Sequence, residues 1–203
     1  SANLSILPLR DERIGQIGTM LMVEDISEEK RMKGTMARYM DPVVAEQLLS
    51  GGSQTLGGTE SMATVLFSDI RSFTSISEAL GAQGTVSLLN DYFTLMVDCL
   101  VNEGGMLDKF IGDAIMAIFG LPIPAEGDED RAMRASIAML SSLDQFNIDR
   151  ASNQQLPVHI GIGLHTDEVV SGNIGSPKRM NYTVIGDGVN LASRLESACK
   201  FYG

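Results

Sequence analysis

The sequence predicts an α+β fold, a ferredoxin-like split βαβ sandwich with helices against a mostly antiparallel sheet. Three observations carry that prediction. Strand-length apolar runs and longer runs of helical spacing alternate over 61–203 in the order β-α-α-β-β-α-β-β-α. Gly112-Asp113 falls between the short apolar runs MLDKF and AIMAIF, where glycine at the first central position suits a two-residue hairpin. Hydrophobic residues make up 44% of the 203, enough for a core and too many for a disordered chain.

The elements follow in order. Within 1–26, IGTMLMVEDI reads as one strand after a polar turn. One or two strands are not stable alone, so this piece reads as the tail of another domain. SEEKRMKGTMARYM sets Met32, Met36, Tyr39 and Met40 at helical spacing, with Asp25 and Glu28 able to form a capping box. Asp41-Pro42 interrupts it. Asp41 can cap a second helix that has Pro42 at its first position and runs to Leu49. A narrow Met/Tyr stripe is no core by itself and predicts that 27–50 is a dimerising helical segment, paired as in a coiled coil. The Gly/Ser-rich stretch 51–60 reads as a linker. Beyond it, MATVLFSDI is a strand ending in Asp69, followed by a short helix and a long one. After the hairpin comes an acidic turn, PIPAEGDED, and then the amphipathic helix RAMRASIAMLSSLDQF. LPVHIGIGLHTDEVVSGNIG reads as one or two strands, MNYTVIGD as a short strand and DGVNLASRLESACK as a helix.

Composition narrows the function. The net charge of −11, with 26 acidic against 15 basic residues, argues against a nucleic-acid partner and against an anionic membrane. An anionic substrate then needs a bridging cation. The two cysteines, Cys99 and Cys199, make no disulfide framework and read as buried free thiols in a reducing cytoplasm. No apolar run reaches the length of a membrane helix, and the start lacks a signal-peptide pattern. There is no nucleophile elbow and no Walker A loop, and His159 and His165 read as structural.

Three places can carry chemistry. Asp69 ends a buried strand and Asp113 sits at a hairpin tip; if their strands are neighbours, two carboxylates meet at one point and suit Mg²⁺. The alternative is a strand-end cap and a turn residue. The segment IRSFTS leads into a helix whose first N–H groups can bind phosphate, or it is an ordinary N-cap by Ser72 or Thr74. Asn190 and Arg194 share a helix face, which either steadies charge on phosphorus or is simply solvated.

Taken together, FSDI (67–70), KFIGDAIMA (109–117) and YTVIGDGVNLASRLE (182–196) resemble the catalytic domain of class III nucleotidyl cyclases, in the same order and spacing. Bacterial, particularly cyanobacterial, enzymes are the most similar in pattern. The resemblance covers 61–203 and implies an adenylyl cyclase that converts ATP to 3′,5′-cyclic AMP and pyrophosphate. It implies that Asp69, Asp113 and the Ile70 carbonyl hold Mg²⁺ or Mn²⁺, two per site. Phe73 and Thr74 fall in the loop that receives the triphosphate. Lys109 and Thr183 match the purine-reading pair, Asn190 the ribose-orienting asparagine and Arg194 the transition-state arginine; Lys178 or Arg179 is placed to reach a phosphate.

Lys109 is a pure donor and suits N1 of adenine, while a guanylyl cyclase wants Glu there. Thr183 departs from the aspartate of animal adenylyl cyclases, as bacterial relatives commonly do, and rejects GTP less strictly. In the family each site is shared between two subunits, so the full residue set here implies a homodimer. The zone 27–50 resembles a signalling helix, and 1–26 the C-terminal strands of a PAS-like sensor, which implies an upstream sensor domain. The family continues past the Arg194 helix with further strands and a triphosphate-contacting lysine, and the sequence ends at Gly203 before them. The rivals are a guanylyl cyclase and a catalytically silent dimerising regulatory module. A diguanylate cyclase is excluded because FIGDA stands where its GG[DE][DE]F turn belongs.

Overall fold

The computed structural model describes residues 2–11, 15–27, 30–31, 58–176 and 178–202. The chain divides into two compact units, 1–53 and 54–203.

The first unit holds a hairpin. Strand β1 (Ala2–Asp11) pairs antiparallel with β2 (Gly15–Asp25), Ala2 facing Asp25, with a register shift at Leu9/Arg10. Where the sequence predicts one strand, there are two. Pro8 masks the first in the sequence pattern, but in a two-stranded ribbon each strand has a free edge, where proline is tolerated. Asp25 Oδ1 accepts a hydrogen bond from the Ser27 N–H at 2.9 Å. Hydrogen bonds from Ser27 hold the Asp25 carboxyl below its ordinary range. The Lys30 N–H donates to the Ile26 carbonyl at 3.0 Å, the first turn of a helix. The remainder of the two helices expected over 27–50, with Glu28, the Met/Tyr stripe and Asp41-Pro42, lies outside the described residues, as does 51–57.

The second unit contains β3 (Gly58–Ile70), α1 (Phe73–Asn102), β4 (Met106–Ile111), β5 (Ala114–Phe119), α2 (Asp128–Ser152), β6 (Ile160–Ser176), β7 (Arg179–Ile185) and α3 (Asp187–Tyr202). The order is the one the sequence predicts. The short and long helices after Asp69 are both present, joined within α1 across Gly81, whose φ of +66° and ψ of 177° only glycine adopts readily. Some boundaries differ. β3 opens at Gly58, so three residues read as linker belong to it. α2 begins inside the stretch read as an acidic turn, and Asp128, Glu129 and Asp130 fill its first turn, where negative charge suits the helix dipole. IGIGLHTDEVVSGNIGS (160–176) forms one long strand of 17 residues, one of the two outcomes the sequence left open.

The sheet runs β4-β5-β3-β6-β7 with every neighbouring pair antiparallel. Its first four strands have the ferredoxin-like order, and β7 extends the sheet beyond β6. One face buries Leu66 and Ile70 of β3 with Ile115, Ala117 and Phe119 of β5, against Tyr92, Met96 and Leu100 of α1 and Met139 and Leu143 of α2. Burial of each such large apolar side chain contributes roughly 1.5–3 kcal/mol. Strand alternation sends Val65 and Asp69 to the other face, which α3 covers. The closeness of α3 depends on Gly163, where a Cβ would overlap the Glu196 backbone nitrogen and the Ala192 carbonyl oxygen.

Candidate active site

Two aspartates converge because their strands are direct neighbours. Ser68 of β3 lies opposite Ile115 of β5, so the end of β3 meets the β4–β5 turn. That turn needs Gly112, whose φ is +66°, although nothing crowds its Cβ position. The Asp113 carboxyl feels both the neighbouring Asp69 carboxyl, which raises its pKa, and the Ile70 N–H, which lowers it. Burial first, and then the neighbouring Asp69 carboxyl, push Asp113 up to about 6. Lys200 Nζ of α3 lies 3.8 Å from Asp69 Oδ2. Beneath them the Tyr92 hydroxyl sits 3.4 Å from Ser68 Oγ, and burial raises its ionisation well above the ordinary phenol range.

The entry to α1 is not an ordinary side-chain cap. Ser72 has a left-handed backbone (φ 54°) and its side chain makes no capping hydrogen bond. Phe73 and Thr74 are already the first two helical residues, and the first turn carries no acidic residue. Its N–H groups are thus left without a cap and in a field that favours an anion.

Next to this turn, Arg71 Nη1 pairs with Glu196 Oε1 at 2.8 Å, and Nη2 donates to the Glu196 carbonyl at 3.1 Å. The pair ties the end of β3 to α3. Sequence reasoning missed it, although a signal was present. Gly161 and Gly163 lie on one face of HIGIGL, and glycine at alternate strand positions marks close approach of another element. A side chain at 161 would overlap the Arg71 guanidinium.

A second cluster joins β4 to β7. Lys109 Nζ donates to Thr183 Oγ1 at 2.8 Å. The Thr183 hydroxyl donates to Asp108 Oδ2 at 2.9 Å, and Lys109 Nζ lies 3.0 Å from that same oxygen. The Asp108 side chain is fully buried, whereas that of Lys109 is 38% exposed. Asp108 was also missed, for a physical reason. Regular alternation sends adjacent residues to opposite faces, but the β4–β5 register shifts between Leu107 and Lys109 and turns both 108 and 109 toward Thr183.

Asn190 and Arg194 are exposed on α3, one turn apart. Among the described residues, no hydrogen bond or ion pair links either one to Asp69 or Asp113. Arg179 opens β7 opposite Ser176, and Lys178 is exposed just before it. His165 Nε2 lies 3.7 Å from Asp167 Oδ2, while His159 is exposed. Among the described residues, no three His, Cys, Asp or Glu side chains gather as a metal cluster. Both cysteines are free thiols; Cys99 is buried as expected, whereas Cys199 is only half-buried because it lies near the end of α3. No described helix is long and apolar enough to cross a membrane.

Residues 58–201 match the family model described as adenylate and guanylate cyclase catalytic domain. An adenylate cyclase of Anabaena cylindrica is 44% identical over 144 residues, which are 69% of this chain and 28% of the relative. The chain thus spans less than a third of that relative's length. The crystal structure of the guanylyl cyclase Cya2 is 42% identical with a TM-score of 0.67, covering 70% of this chain and 72% of that one. The crystal structure of the adenylyl cyclase CyaB from P. aeruginosa is 39% identical with a TM-score of 0.63, covering 70% and 74%.

Proposed function

The chain belongs to the adenylate and guanylate cyclase catalytic domain family, and from that premise we propose that it cyclises ATP to 3′,5′-cyclic AMP and pyrophosphate at sites shared across a homodimer. The observation that carries the choice of ATP is the contact between Lys109 and Thr183 at 2.8 Å. It offers a purine edge a donor beside an acceptor, as the N1 and 6-amino groups of adenine require.

The family uses divalent metal ions, and the residues here suit them. Two adjacent carboxyl groups, one pushed up to about 6, share a single ion pair with Lys200 at 3.8 Å among the described residues, and a cation would supply the positive charge still needed. Asp69, Asp113 and the Ile70 carbonyl are the groups that would hold Mg²⁺ or Mn²⁺, two ions per site. When bound, such ions lower the pKa of the ribose 3′-hydroxyl and offset charge on the departing pyrophosphate. Phosphate and water oxygens would complete their coordination.

The protein's own groups do the rest by positioning and electrostatics. The uncapped N–H groups around Phe73 and Thr74 receive the triphosphate. Asn190 orients the ribose so that its 3′-oxygen faces the α-phosphorus. As that oxygen gives up its proton to water and bonds to the α-phosphorus, the bond from phosphorus to the bridging oxygen of the β-phosphate breaks and pyrophosphate leaves. Arg194 stabilises the charge that develops, and the family resemblance alone assigns Arg179 to a phosphate. Among the described residues, Asn190 and Arg194 make no hydrogen bond or ion pair with Asp69 or Asp113 of their own chain. This supports a site in which one subunit brings the aspartates and its partner brings Lys109, Thr183, Asn190 and Arg194.

Upstream, 1–26 would be the last strands of a PAS-like sensor, and the helices of 27–50 would pass its signal to the dimer over 61–203. A reaction that consumes ATP, in a chain with free thiols, suits the cytoplasm. A guanylyl cyclase is the second reading, favoured by the 42% identity to the guanylyl cyclase Cya2. Product formation from ATP and from GTP, with Mg²⁺ and with Mn²⁺, tests both. Cyclic AMP in excess supports the proposal, and faster turnover of GTP replaces it with the second reading. No product from well-folded dimers would leave a dimerising regulatory module.

A further inference from the structure

A threonine hydroxyl does not by itself choose between purines. It has one proton and two lone pairs, so it can accept from the 6-amino group of adenine or donate to the 6-oxo group of guanine. What it does depends on its neighbours. Thr183 Oγ1 lies 2.9 Å from Asp108 Oδ2, an acceptor, and 2.8 Å from Lys109 Nζ, a group that only donates. Its proton is therefore committed to Asp108 and one lone pair to Lys109. One lone pair remains. Lys109 directs one proton to Thr183 and another to Asp108 at 3.0 Å, and one remains.

Resting on the ATP-cyclising reading, we propose that Asp108 is the positioning residue that sets purine choice. It holds Thr183 as an acceptor and Lys109 as a donor, so that the pair offers one of each. Adenine fits that arrangement at both atoms. Guanine and hypoxanthine carry a hydrogen on N1 and an oxygen at C6, which places donor against donor and acceptor against acceptor. Asp108 acts through its two neighbours and does not touch the base.

A second observation supports a role beyond packing. The Asp108 side chain is wholly buried, and its Oδ1 has no hydrogen-bond partner among the described residues. Such an atom is destabilising, and an apolar residue would fill the position more cheaply. The strand irregularity between Leu107 and Lys109 is what brings this carboxylate to the same side as the lysine.

The test is equilibrium binding of 3′-deoxy-ATP and 3′-deoxy-ITP, which lack the attacking hydroxyl and so need no turnover. ITP has the N1–H and 6-oxo edge without the 2-amino group of guanine. The native chain should prefer the adenine analogue. Asp108→Ala should cut that preference about tenfold or more, because the freed hydroxyl can turn its proton outward. Asp108→Asn should restore most of it, since the amide oxygen still accepts from Thr183. Melting curves check folding, and Asp108→Ser serves if the alanine variant does not fold. An equal loss of affinity for both nucleotides in Asp108→Ala would mark a merely structural residue and overturn the proposal. So would a native chain that binds both analogues equally, or neither. Failure of the adenylyl cyclase reading is separate, because it appears as absence of cyclic AMP from the native protein.

Discussion

Lys109 and Thr183 lie on the strands at opposite ends of the sheet order, β4 and β7, yet their side chains meet at 2.8 Å. The long β3–β6 ladder, paired from Gly58–Gly172 to Ile70–Ile160, provides the length over which a ribbon twists and coils. β7 continues that ribbon beyond β6. The Lys109–Thr183 contact, and with it the proposed reading of the base, thus depends on the shape of the whole sheet.

Exchanging the chemistry of this pair should change the nucleotide preference. In Lys109→Glu with Thr183→Cys, the carboxylate accepts from a guanine N1–H where the ammonium had donated to adenine N1. A mispaired buried polar contact costs about 1–3 kcal/mol, so the ATP/GTP ratio of kcat/KM should fall by roughly 10–100-fold. An unchanged ratio in a folded double variant would show that the pair does not read the base.

As the proposed metal ligand, Asp113 should make metal binding depend on pH. Its value of about 6 in the fold stands above the ordinary 3.8. A raised carboxyl holds its proton more tightly in the fold, so the metal-free protein gains stability as pH falls from about 6 toward 4. It loses that stability as pH rises through the same window. A cation must displace this proton. Apparent Mg²⁺ or Mn²⁺ affinity, measured by calorimetry, should therefore level off above pH 7 and drop by about tenfold per unit below 6. Asp113→Ala should abolish cyclisation and leave the dimer intact. Full activity in that variant would end the metal assignment.

Much of this fold was legible before any coordinates, because its signals are local. Gly112-Asp113 marks its hairpin, Gly81 breaks α1 where a short and a long helix were expected, and the apolar runs of β3 and β5 are unmistakable. The pairing of Asp69 with Asp113 was legible only as a condition, that their strands be neighbours. What escaped depends on tertiary contacts. Pro8 hid β1, the bulge hid Asp108, and Arg71 and Glu196 form a pair across 125 residues that no local pattern announces.

The contact of α3 with β6 predicts a stability effect. A Cβ at Gly163 meets backbone atoms of Ala192 and Glu196, which cannot rotate away as a side chain could. Gly163→Ala should therefore lift α3 and cost roughly 1–3 kcal/mol, a Tm lower by several degrees in thermal melts. An unchanged Tm would mean that α3 adjusts freely. The same shift should reduce turnover, because α3 carries Asn190 and Arg194.

The shared-site reading has a sharper test in mixed dimers. Asp69→Ala removes a residue that one subunit brings to a site, and Arg194→Ala removes one that its partner brings. Each variant alone should be inactive, since both of its sites carry the same defect. In a mixed dimer the two defects fall together at one site and leave the other intact. Random reassortment makes half of the dimers mixed, with one working site in each, so activity should return to about a quarter of the native level. Differently tagged subunits would verify that mixed dimers form. No return of activity in verified mixed dimers would mean that Asp69 and Arg194 of one chain serve the same site.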